Sequence, residues 1–127
     1  MQIPADQMDE ASLTALGAEA VQLLCTGDTS GLINRFGYAL ALGREPAAAV
    51  QHDLALCLAE LQASKLVRVT GKAPAKVRYF EPSDSGLLAV VEALAPTDNG
   101  AAVLVELIVS ASGQSKHVTL EQLSAAA

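Results

Sequence analysis

In the stretch PAAAVQHDLALCLAEL, His52 and Asp53 stand side by side and Cys57 follows one helical turn after Asp53. An imidazole, a carboxylate and a thiol are the parts of a nucleophile with its base, but that chemistry needs them to converge on one reacting atom. The stretch has helical spacing, and neighbours on a helix point about 100° apart, so His52 and Asp53 address different directions. No GxSxG elbow and no paired-acid motif occurs elsewhere. The imidazoles and thiols open to a metal, Cys25, His52, Cys57 and His117, fall without HExxH or CxxC spacing. Gly27, Gly31, Gly37 and Gly43 stand where helices begin or end, not in a phosphate-cradling GxxxxGK or GxGxxG loop. These residues predict no catalytic centre, metal or cofactor, and hence no enzyme; the two cysteines read as buried, reduced thiols.

Charge is the stronger signal. The chain of 127 residues carries a net charge of −6, yet residues 65–80, KLVRVTGKAPAKVRYF, hold five of its eight basic residues and no acid. The rest of the chain stands at −11, a field that repels nucleic acid and anionic membrane and attracts a basic partner. Acidic residues beside helix starts and along helices are the candidates for that contact. Asp28, Glu45, Asp53 and Glu60 are expected to share one surface if the second and third helices run antiparallel. Such a surface would cover a basic cleft and steer the encounter.

The elements that must position these residues follow from hydrophobic period. Half of the residues are apolar, aromatics are scarce, and the length suits one domain over residues 1–127 with a core of its own. No apolar run approaches the roughly 20 residues of a membrane span, and the opening MQIPADQMDEASL lacks the basic and apolar regions of a secretory signal, so a cytoplasmic protein is expected. Leucines at three-and-four spacing predict helices over residues 11–25, 31–42 and 46–64, the last opened by Pro46. The period then changes to two, which predicts a β-hairpin over residues 65–80 with its loop at 70–75. A fourth helix is expected over 85–94, a central strand over 101–109 and a short strand near His117. Thr119 with Gln122 reads as a capping box for a last helical turn. The order, three helices, a hairpin, a helix, two strands and a short helix, is that of an α+β domain.

Two resemblances bear on function. Residues 39–94, through LAELQASKLVRV and KVRYFEPSDSGLLAVVEAL, resemble a winged helix-turn-helix domain. That likeness implies a recognition helix at 46–64, a wing at 70–75, and Arg68, Lys72, Lys76 and Arg78 as phosphate contacts of a transcriptional regulator. The helix so assigned has no Arg or Lys between Arg44 and Lys65, and its polar face is net negative, which is wrong for reading bases. In size, acidity and the run FGYAL followed by GRE at 43–45, the chain is similar to small bacterial immunity proteins, which neutralise a toxin domain by binding it. The favoured expectation is a protein-binding protein, monomer or homodimer, with a basic partner and no membrane; the alternative is the winged-helix regulator.

Overall fold

Asp9 starts the first helix, α1 (Glu10–Cys25), by accepting hydrogen bonds from the Ser12 amide at 3.1 Å and the Ser12 hydroxyl at 2.6 Å. The computed structural model describes residues 2–69, 74–81 and 85–126. One stripe of α1, Leu13, Gly17, Ala20, Val21 and Leu24, is buried. Gly17 lets this helix lie close on the sheet: a Cβ there would sit 2.9 Å from Val91 Cγ1. Asp28 then caps α2 (Thr29–Phe36), and Glu45 caps α3 (Pro46–Leu61).

All three expected helices form, and the second and third end earlier than expected. The second stops at Phe36 rather than residue 42 because Gly37 takes φ +72, a conformation that leaves the helix; a 3-10 turn, Ala39–Ala41, follows. The third stops at Leu61 rather than 64. Its end is closed from elsewhere in the chain: the Asn99 side-chain amide donates to the carbonyls of Leu61 and Gln62, both at 3.0 Å, and Asp98 Oδ1 accepts from the Ser64 amide at 3.0 Å.

The helices lie against one face of a five-stranded antiparallel sheet, and the fold is α+β. Its strands are β1 (Gln2–Ile3), β2 (Ala75–Tyr79), β3 (Leu87–Pro96), β4 (Ala102–Ser112) and β5 (Ser115–Ala126), in the order β1-β5-β4-β3-β2. The strand expected over 101–109 is present as β4 and is central. Its Val103, Val105, Leu107 and Val109 are fully buried, as are Ala89, Val91, Ala93 and Ala95 of β3 beside them. Leu13, Val21, Leu32 and Val50 complete this core from the helices.

Three expectations are corrected here. The described residues on either side of 70–73 do not pair with each other as a hairpin; both flanks lie along β3 and its continuation. The Val67 amide donates to the Pro96 carbonyl at 2.9 Å and Leu66 bridges Thr97, while β2 pairs with β3 from Ala75 opposite Ala93 to Tyr79 opposite Ala89. The second correction explains the first: from residue 87 on, the positions expected as a helix over 85–94 are strand, so β3 is available as a partner. Their leucines satisfy a helical period, but the alanines at 89, 93 and 95 also satisfy a period of two. They are the small side chains that a sheet needs under a closely packed helix. The third is the C-terminal helix, since Thr119 and Gln122 lie within β5, opposite Ile108 and Glu106. An irregularity in the ladder between Glu106 and Leu107 takes up Glu121 as an extra residue, which breaks the alternation that would have marked a strand. Of the loop expected as a wing over 70–75, residues 70–73 lie outside those described, and Ala75 begins β2.

Candidate functional site

The segment 37–45, between α2 and α3, is held by a polar cluster centred on Asp53. Tyr38 is buried, and its hydroxyl donates to Asp53 Oδ2 at 2.6 Å. The Arg44 guanidinium reaches both oxygens of the same carboxylate, Nη1 to Oδ1 and Nη2 to Oδ2, each at 3.0 Å. It also donates back to its own loop, from Nε to the Ala41 carbonyl at 3.0 Å and from Nη2 to the Leu40 carbonyl at 2.6 Å. A planar fork that pairs a carboxylate with two bonds fixes orientation as well as charge. The Arg44 hydrogen bonds hold the Asp53 carboxyl below the usual carboxylate range, helped by the Tyr38 hydroxyl against the opposing effect of burial. Burial, reinforced by Asp53, pushes the Tyr38 phenol far above its ordinary value. Tyr38 is therefore a neutral donor at every physiological pH.

The loop fixed in this way carries Leu42, which is 79 % exposed and adopts a left-handed backbone, φ +49 and ψ +52. Both features are unfavourable for leucine: exposure gains no burial, and the left-handed region costs about 1 kcal/mol or more for a residue with a Cβ. Across from it, Leu56 of α3 is 57 % exposed. Between them opens a cleft of about 410 Å³. Its helical wall is Asp53, Leu56, Cys57 and Glu60, one face of α3 at three-and-four spacing. The loop contributes Leu40, Leu42 and Arg44, and the far wall is Leu123, Ser124 and Ala125 of β5. Burial raises the Cys57 thiol, with Glu60 and Asp53 adding to it, so at neutral pH the cleft floor is an uncharged sulfur.

Of the four acids expected to meet a partner, two line the cleft and two cap helices. Asp53 and Glu60 line the cleft, but Arg44 neutralises Asp53, and Glu60 has no ion pair among the described residues. Asp28 and Glu45 cap helices, accepting from the Gly31 amide at 2.9 Å and the Ala48 amide at 2.7 Å. Of the basic residues, Arg68 and Lys76 are exposed, Lys76 on the edge strand β2, and Arg78 pairs with Glu92 at 3.0 Å. Lys72 lies outside the described residues. Lys76 and Glu92 border a second, smaller hollow of about 310 Å³ with Leu94 and Leu104, on the sheet face away from the helices. His52 is exposed on α3, and Cys25 and Cys57 are free thiols. Among the described residues no group of three or more His, Cys, Asp and Glu is placed to hold a metal, and no helix is long and apolar enough to cross a membrane.

Leu42, Leu56 and Arg44 were missed by sequence reasoning. The sequence carries no signal for Leu42: in the segment FGYALALGRE a leucine before Gly43 reads as the last residue of a helix. No protein-family model, curated protein or solved structure matches the chain.

Proposed function

We propose that the protein works by binding another protein at the cleft between α3, the 37–45 loop and β5. The observation that carries this reading is Leu42, an apolar side chain held out to solvent on a left-handed backbone by a loop that Arg44 and Tyr38 brace from behind. Burying Leu42 and Leu56 against a partner is worth roughly 1.5–3 kcal/mol for each side chain fully covered. That is the scale on which a few central residues dominate an interface. Glu60 at the rim and the overall charge of −6 favour a partner whose contacting surface is basic. An immunity-type role, with a toxin domain as that partner, is the form of this proposal that best suits the acidity. The pairing of Arg78 with Glu92 and the overall charge of −6 make the DNA-regulator reading the weaker of the two.

A photo-crosslinking residue placed at Leu42 or Leu56, with Asn34 on α2 as the control position, tests the proposal in extract of the native cell. The expected result is one protein captured from the cleft positions and not from Asn34. That protein, purified, should bind the wild-type chain with at least about tenfold higher affinity than Leu56→Asp, about 1.4 kcal/mol by calorimetry. Equal affinity for both chains overturns the assignment. Salt-sensitive binding of labelled duplex DNA that is lost in Arg68→Ala with Lys76→Ala would establish the alternative instead.

A further inference from the structure

The far wall of the cleft shows how a partner would sit in it. Leu123, Ser124 and Ala125 are consecutive, and side chains along a strand alternate between faces. A cleft touched by all three lies beside the edge of β5, not over either face. That edge is open. β1 pairs with β5 only at Lys116 and His117, Tyr38 bridges it only at Leu120, and among the described residues no strand pairs with residues 121–126 on the side away from β4. Alternate residues of an edge strand direct N–H and C=O groups outward, ready for another strand. The opposing wall, from Asp53 to Glu60 on α3, is about 10 Å long at 1.5 Å per residue, the length of about three residues of extended chain.

Resting on the protein-binding reading above, we propose that the cleft takes an extended segment of the partner, which adds to the sheet as a sixth strand along β5. The backbone of the segment pairs with residues 121–126. One apolar side chain enters between Leu42 and Leu56 over Cys57 and Leu123. A Lys or Arg of the segment meets Glu60, the carboxylate in the groove that no cation of the described chain satisfies; Asp53 beside it is already saturated by Arg44. Main-chain pairing supplies affinity in this mode, and the side-chain pocket supplies selectivity.

The test uses the full chain, labelled with nitrogen-15, and synthetic peptides of about eight residues that alternate Val or Leu with Lys. Binding should shift the amide signals of residues 121–126 and slow their hydrogen exchange. N-methylating alternate peptide residues in one register should weaken binding at least about tenfold, and in the other register should leave it within about twofold, because only one set of N–H groups faces β5. Glu60→Gln should weaken binding of Lys peptides and leave peptides with Thr in place of Lys unchanged. If the captured partner needs Leu42 and Leu56 but neither it nor any peptide protects the β5 amides, strand addition is overturned while the protein-binding reading stands. If Leu42 and Leu56 prove irrelevant to every partner, both fall. A dimer in sedimentation without peptide, with the same amides protected, overturns the proposal in favour of a second copy pairing edge to edge.

Discussion

Among the described residues, two without glycine's freedom adopt the left-handed conformation, Leu42 at φ +49 and Gln62 at φ +57, and they bracket α3 at its two ends. Gln62 is explained by the fold. Its amide donates to the Ala59 carbonyl at 3.1 Å and the Ala63 amide donates to the Leu58 carbonyl at 2.9 Å, a helix stop that satisfies otherwise unpaired carbonyls. Its side chain is polar and belongs in water. Leu42 also closes a short helical turn, with the Arg44 amide donating to the Ala41 carbonyl at 2.9 Å, but it raises an apolar side chain into solvent. The same backbone strain serves chain termination at one end and display at the other. The polar groups behind the two ends differ to match. Asp98 and Asn99 hold the C-terminal end through backbone atoms of Leu61, Gln62 and Ser64, whereas Arg44 and Tyr38 hold the N-terminal loop through one carboxylate of α3.

Removing that carboxylate should have the largest effect. Asp53→Ala leaves the buried Tyr38 hydroxyl without an acceptor and frees Arg44 from its fork, so a stability loss of about 2–3 kcal/mol is expected in urea denaturation, trimmed by the partial exposure of Arg44. Glu60→Ala, two turns along the same helix face, should stay within about 0.5 kcal/mol. Equal losses for the two variants would mean that the loop is not held as described.

The pH dependence has the same origin. Because the native Asp53 carboxyl is depressed, chiefly by Arg44, its contribution is fully present above the ordinary value of 3.8 and is lost as pH falls below that through the native value. Asp98, depressed by the Ser64 amide, acts in the same direction at the other end of α3. Acid unfolding followed by circular dichroism should therefore steepen below about pH 4 in the wild type and be shallower in Asp53→Asn. An unchanged acid limb in Asp53→Asn would separate the cluster from stability.

At the opposite end, Asn99→Ala removes two donations to α3 carbonyls and the acceptor of the Thr97 hydroxyl and the Ala101 amide. The site is exposed, so water replaces part of the loss, and about 1–2 kcal/mol is expected, with the last turn of α3 exchanging its amides faster. If exchange quickens instead in the 37–45 loop, the two ends are not independently held.

How far the sequence foretold this arrangement differs between the halves of the chain. The helices were legible because their caps are local: Asp9, Asp28 and Glu45 each bond an amide three residues on. β3 was not, because its helix-like leucines and sheet-like alanines fit both periods, and the deciding contact, Gly17 of α1 against Val91, lies far away in sequence. At the site, Asp53 and Glu60 were visible as acids, but the charges alone could not separate them. Arg44 cancels one of the two through a fork set by the loop's path, and hydrophobic pattern carries no trace of that path. The exposed leucines were hidden for a similar reason: in a leucine-rich chain, each is presumed to be core.

The smallest expected effects separate the two left-handed residues most clearly. Asn tolerates the left-handed region better than other residues with a Cβ, and glycine occupies it without strain. Gln62→Gly should therefore raise stability by up to about 1 kcal/mol, less the added entropy of the unfolded chain, and should leave partner binding unchanged. Leu42→Asn should raise stability by a similar amount, about 0.5–1 kcal/mol, because it relieves strain and removes exposed apolar surface. Unlike the first variant, it should weaken capture of the partner at least about tenfold. A gain in stability at both positions with a loss of binding at one is the signature of strain kept for recognition. If Leu42→Asn instead destabilises the chain, the leucine packs against its own protein, and the left-handed turn at residue 42 serves the fold as the one at residue 62 does.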